Sequence, residues 1–175
     1  MSTRSLLAIQ SNEKYVVAQY QHYDGYPDYM GVNILDWLKS NNNLEHLKSS
    51  LSKITLMAKK SNKDYEDDSI CFESGADLLS TIIESKEPVK LLDSIEFTAD
   101  SLFCEWAYVI DLDKNTFEIY QGFNEEPLNS TERFKEFESL KEHDSQYYPV
   151  RYLCGYQLDC LPSNDNFLTD CEEKK

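Results

Sequence analysis

Basic side chains are scarce: 17 lysines and arginines face 32 aspartates and glutamates, a formal net charge of −15. That deficit argues against direct binding to a phosphate backbone, which needs cations to displace the polyanion's counterions. Glycine and proline are scarce too, with 5 of each in 175 residues, which leaves little room for linkers or low complexity. No apolar run reaches the ~20 residues needed to span a bilayer. The opening "MSTRSLLAIQSNEKYVV" has one arginine ahead of an apolar stretch too short for a signal-sequence core. The 5 cysteines are odd in number and scattered, and Cys154 and Cys160 stand six apart rather than in a C-x2-C pair. The expectation is a cytoplasmic protein with no membrane contact, whose reduced thiols act as small buried hydrophobes.

Motifs that carry chemistry are also missing. No P-loop, G-x-G-x-x-G or G-x-S-x-G occurs. His22, His46 and His143 are remote from one another, so no metal and no cofactor is expected. Asp111-Leu112-Asp113 after an apolar strand resembles the start of a haloacid-dehalogenase phosphotransferase site, but Asn115 stands where Thr or Val belongs. Too little chain follows to build a doubly wound core. A calcium loop starting at Asp111 fails as well, with Thr116 in place of Gly and Gly122 in place of Glu. Asp-Lys-Asn-Thr between alternating apolar residues is read as a hairpin turn. Ser2 could act as an N-terminal nucleophile once Met1 is removed, although a serine in that position is common.

What the chain does have is core-forming bulk: 41% hydrophobic residues, with 12 tyrosines, 8 phenylalanines and 2 tryptophans. That suits one domain over residues 1–162, followed by a polar tail over 163–175 expected to fray. Residues 4–10 and 15–22 read as a hairpin around the four-residue loop "SNEK". Helices are expected from Val32 to Leu38, from an N-cap at Asn43 through Leu51, near 73–85 and around 130–141. A solvated loop is expected at 58–69. Residues 103–122 read as a second hairpin and 147–159 as a last strand. The pattern is that of an α+β single domain, a mainly antiparallel sheet with about four helices packed on one face. The other face is expected to be free for function.

One stretch resists a pure packing account. "YQHYDGYPDYMG", Tyr20 to Gly31, holds four tyrosines, two aspartates and two glycines between a strand and a helix. Asp24-Gly25 is a turn dipeptide, and Tyr26 before Pro27 is pushed toward extended backbone. It reads either as a structured connection or as a loop site near Arg4 on the neighbouring strand. Gln21 and Glu105 add polar groups from the sheet, giving candidate binding residues Thr3, Arg4, Gln21, Asp24, Gly25, Tyr26 and Glu105. No catalytic residue is assigned.

The segments "STRSLLAI", "AQYQHYDGYP" with Gly31, "LFCEWAYVIDLDKNTFEIYQGF" and "YYPVRYLCGYQLDCLP" together resemble a family of uncharacterised proteins in bacteria, their phages and fungi. Its members start with a small residue and Thr-Arg and carry an aromatic-Asp-Gly-Tyr-Pro signature. The resemblance implies that Thr3, Arg4, Gln21, Asp24, Gly25 and Tyr26 form a shared constellation, and it assigns them no roles. Charge and the lack of catalytic motifs point to a non-catalytic interaction protein that engages a basic protein partner. In a phage, a nucleic-acid-mimicking inhibitor of a host nuclease or defence system would fit. The alternative is a nucleotide- or phosphate-like small-molecule ligand, bound or turned over by Arg4, Gln21, Asp24 and Tyr26. Convergence of those four side chains in one pocket would favour the alternative.

Overall fold

Period-2 alternation in the first two apolar runs produces an antiparallel hairpin, β1 (Ser5–Ser11) with β2 (Lys14–Gln21). It belongs to a computed structural model that describes residues 3–40, 42–59, 67–141 and 145–172. Ser2, His143 and most of the loop expected at 58–69 lie outside the described residues. The hairpin loop is tighter than expected: pairing runs through Ser11 and Lys14, leaving only Asn12 and Glu13, with φ of 54° and 60°. Two consecutive left-handed residues match the twist of the strands. Neither is glycine, and the Asp113 carboxylate offsets the strain by accepting from both amides, at 2.7 and 2.8 Å. Asp111 Oδ1 in turn accepts from the amides of Asp113 and Lys114, at 3.0 and 2.9 Å. The D-x-D pair therefore shapes two adjoining turns.

The second hairpin, β5 (Trp106–Asp111) and β6 (Thr116–Gln121), and the strand β7 (Arg151–Gln157) complete a five-stranded sheet in the order β2-β1-β5-β6-β7. The fold is α+β, and the sheet is mixed: β1 and β5 run parallel while the other three pairings are antiparallel. A parallel centre follows from the long crossover between the two hairpins, which carries three of the four helices.

Four helices share a core with one face of the sheet: α1 (Val32–Lys39), α2 (Asn43–Ser50), α3 (Gly75–Glu84) and α4 (Asn164–Glu172). Leu7, Ile9, Tyr108, Ile110, Phe117 and Ile119 of the strands meet them there. Asn42 holds the N-cap position of α2 in left-handed geometry (φ 58°), while the expected cap, Asn43, donates its side-chain amide to Trp37 O (2.9 Å) and closes α1.

The opposite face is not free. Leu6, Ala8, Ala107, Val109 and Tyr120 are buried there with Ile95, Leu128, Phe134 and Val150. The cover includes two 3-10 segments, Ile95–Ala99 and Lys135–Leu140. The second takes the place of the helix expected at 130–141. Just ahead of it, Leu128 and Asn129 donate their amides to the carboxylates of Glu138 (2.5 Å) and Glu132 (2.6 Å). Those two amides precede the segment, where a helix's own ladder supplies no acceptor.

Three elements were hidden from pattern reading. The short runs "ITLMA" and "VKLLD" form a separate parallel pair, β3 (Ile54–Ala58) with β4 (Val89–Asp93). The expected frayed tail contains α4, with Phe167 fully buried against Phe117 and Tyr156. Cys104, Cys154 and Cys171 are buried, Cys71 is half-buried and Cys160 is exposed. Among the described residues no helix is long and apolar enough to cross a membrane.

Candidate functional site

Strand alternation decides where the candidate residues go. Leu6 and Ala8 belong to the second core, whereas Leu7 and Ile9 belong to the helix-covered one. Side chains one residue apart on a strand point to opposite faces. Thr3, Ser5 and Gln21 gather on the helix side, where Ser5 Oγ donates to Gln21 Oε1 at 2.8 Å. The chain then folds back over them, and Gly25 N donates to Thr3 O at 3.0 Å. Tyr108, buried in the core, donates its hydroxyl to Gly25 O at 2.9 Å, and burial holds that phenol above its ordinary pKa.

Arg4 goes the other way. Its guanidinium lies over the Phe103 ring, 4.7 Å from the centroid. Its carbonyl accepts from Glu105 N at 3.1 Å, and Glu105 O accepts from Gly122 N at 2.8 Å. Among the described residues no ion pair joins Arg4 to Asp24. The constellation therefore divides: Thr3, Gln21 and Gly25 are packed together, Arg4 and Glu105 are linked through their backbones, and Asp24 and Tyr26 are exposed. Gln21 Nε2 is buried without a hydrogen-bond partner.

Glycine is required at position 25 for close approach rather than for unusual dihedrals, because the left-handed residue of the turn is Asp24 (φ 52°). A Cβ on Gly25 would stand 2.8 Å from both Ser5 Cβ and Ser5 Oγ, and 3.0 Å from Thr3 O. Gly25→Ala is expected to lose ~1–3 kcal/mol of stability through overpacking, read as a lower midpoint in denaturant unfolding. An unchanged midpoint would show that this turn is loosely held.

Outside the pinned backbone lies an aromatic, acidic surface. Tyr23, Tyr26 and Tyr29 are 66%, 44% and 61% exposed, and Asp24 and Asp28 between them are exposed. Pro27–Gly31 forms one wide π-type turn, in which Gly31 N reaches back to Tyr26 O at 3.3 Å. His22 packs edge-on to Tyr23 with centroids 4.4 Å apart, and its Nδ1 lies 2.7 Å from Tyr20 Oη. Beside Tyr26, Pro27 and Asp28, a pocket of about 150 Å³ opens against Trp106 and the α4 residues Leu168, Cys171 and Glu172.

A larger cleft, about 740 Å³, lies on the other face between Glu118, Tyr120, Arg133 and Arg151. Its floor is an ion network that the sequence did not reveal. The Arg133 side chain is 7% exposed and spans three strands. It donates to Gln10 Oε1 on β1 and Asp111 Oδ2 on β5, and on β6 to Glu118 Oε2 (2.8 Å from Nη2) and to Tyr120 Oη (3.0 Å from Nε). Tyr120 also donates to Glu118 Oε2 at 2.6 Å. Burial opposes the charge of Arg133, but Tyr120, Asp111 and Glu118 outweigh it and raise its pKa. Burial, reinforced by the Glu118 charge, pushes the Tyr120 phenol up. Arg151 is engaged as well, bonding Glu126 Oε2 at 2.9 Å and Pro127 O at 2.7 Å.

Both guanidiniums in this cleft are therefore committed to the protein's own acceptors. They act as braces holding residues 126–133 to the sheet, not as open anion receptors. A clue was present in the sequence: Asp111 and Glu118 sit at inward positions of apolar strands, and buried carboxylates need a cation. Among the described residues no cluster of His, Cys, Asp or Glu could hold a metal ion. Compared with known proteins, the chain matches no family model, no curated protein and no solved structure.

Proposed function

We propose that this chain is a non-catalytic acidic interaction protein of the cytoplasm that engages a basic protein partner through the surface around Tyr23–Tyr29. The observation that supports this reading is the exposure of Tyr23, Tyr26 and Tyr29 beside Asp24 and Asp28, on a backbone pinned from below through Gly25. Tyrosine offers a large amphipathic contact area at small conformational cost. Tyrosine and arginine are also the residues that most often anchor interfaces. An arginine of the partner can stack on these rings and pair with the neighbouring carboxylates. The −15 charge adds long-range attraction that speeds encounter and is screened by salt. A nucleic-acid mimic acting on a nuclease would be a special case, in which DNA competes with the chain for its partner. A phosphate-like ligand held by Arg4, Gln21, Asp24 and Tyr26 has less support, because those side chains do not share a pocket.

The test is fluorescence anisotropy with a labelled peptide of alternating arginine and serine. Binding at low salt should weaken about tenfold or more in Tyr23→Ala/Tyr29→Ala and fall steeply toward ~0.5 M salt. Both tyrosines are exposed, so thermal stability should not change. Equal binding by wild type and double variant would overturn the choice of surface, and no binding at any salt would overturn the reading.

A further inference from the structure

The pocket beside Tyr26 has the size and chemistry to receive a single cationic side chain. At about 150 Å³ it falls well below the ~300–1,000 Å³ typical of sites for whole small molecules. A cavity of roughly that volume admits a group the size of one benzene ring. It is lined by the aromatic residues Tyr26 and Trp106, by Pro27, Leu168 and Cys171, and by the acidic residues Asp28 and Glu172. Both carboxylates are exposed, and no lysine or arginine lines the pocket. Aromatic residues attract cations, apolar side chains suit a long methylene stem, and exposed carboxylates suit the charged head.

We infer that this pocket anchors one lysine or arginine side chain of the basic partner, which enters between Tyr26 and Trp106 and pairs with Asp28 and Glu172. The inference rests on the interaction reading above and gives it a point of attachment. The pocket shares Tyr26 and Asp28 with the exposed surface, so one partner segment could lie across Tyr23 and Tyr29 while a single residue enters here. An acidic, aromatic-lined opening disfavours an anionic or purely apolar guest, because burying two carboxylates beside either leaves their charge uncompensated.

The test uses single-residue probes on the full chain, followed by heteronuclear NMR titration. N-acetyl-arginine amide and N-acetyl-lysine amide should shift the signals of Tyr26, Asp28, Trp106, Leu168 and Glu172. N-acetyl-norleucine amide, a comparable stem without the charge, should not. Asp28→Asn/Glu172→Gln removes two exposed charges and should weaken cation binding about tenfold, the effect of losing two exposed ion pairs, while the folded spectrum persists. Shifts confined to other residues, equal response to norleucine, or undiminished binding by the double variant would each overturn the pocket. The two ideas fail separately. Peptide binding that depends on Tyr23 and Tyr29 but leaves these signals unmoved would retain the interaction surface and remove the anchor. Probe binding here without any peptide binding would do the reverse.

Discussion

Arg133→Met is expected to cost ~3–5 kcal/mol of folding stability at neutral pH, because it strands two buried carboxylates. The Asp111 side chain is 0% exposed and that of Glu118 10%, and both are paired to Arg133. The sign of the pH dependence distinguishes this mechanism from ordinary loss of packing. In the wild type, burial alone would raise the Asp111 pKa. The Arg133 hydrogen bond, the Lys114 amide and the Arg133 charge outweigh it and hold the value below 3.8. A depressed folded pKa contributes stability that is present above the unfolded value and is lost as pH falls through the folded one. Without the guanidinium, burial dominates and the Asp111 pKa rises above its unfolded value. The variant then suffers most where the carboxylate is charged and recovers as it protonates. Urea unfolding at pH ~7 and ~4 should show the gap between wild type and variant narrowing toward acid. A gap independent of pH would show that the cost is lost packing. Combining Arg133→Met with Asp111→Asn and Glu118→Gln should recover much of the loss, since buried ion networks often contribute little net stability over neutral replacements.

Phe167→Ala should be of comparable size, ~3–5 kcal/mol, or a fall in Tm on the order of 10 °C for a chain of this length. The ring is fully buried, stacked on Phe117 at 6.2 Å and 12°, and tilted against Tyr156 at 6.1 Å. It is the main hold of α4 on the sheet, supplemented by the hydrogen bond from Tyr156 Oη to Asp170 Oδ2 at 2.8 Å. Gly31 supplies an internal control. A Cβ there would stand 2.8 Å from Phe167 Cζ and 3.1 Å from Tyr108 Cε1, so Gly31→Ala should destabilise the wild type. In the Phe167→Ala background the tighter clash disappears, and the added methyl fills part of the cavity. The second substitution should then be close to neutral, giving a coupling energy of ~1 kcal/mol or more in a double-mutant cycle. Strict additivity would mean that Gly31 and Phe167 do not press on each other.

Local periodicity carried much of the architecture. Alternation in "YVVAQYQ" and "WAYVID" marked strands, and the stripes at Ile34–Leu38 and Leu78–Ile82 marked helices, because each pattern is read within one element. It failed where an element's apolar content is small or shared. α4 offers only Phe167, Leu168 and Cys171 to the core, and the segment expected as a helix at 130–141 packs Phe134 and Phe137 into the second core and forms a 3-10 turn over Lys135–Leu140.

The candidate site divides along the same line. That Asp24-Gly25-Tyr26-Pro27 turns, and that its tyrosines are numerous and its charge acidic, follows from residues adjacent in the chain. That Arg4 leaves this turn for Phe103, while Thr3 and Tyr108 grip it, depends on which face of β1 the returning chain covers. Arg133 finds Gln10 across 123 positions and Asp111 across 22, and the pocket beside Tyr26 exists only where Trp106 and α4 are brought to the same place. The sequence alone determined the five strands of the main sheet, three of the four helices and the excess of negative charge, since these depend on near neighbours and on sums. Which side chains meet was decided by tertiary structure, because the contacts form only when segments far apart in the chain are brought onto the same face.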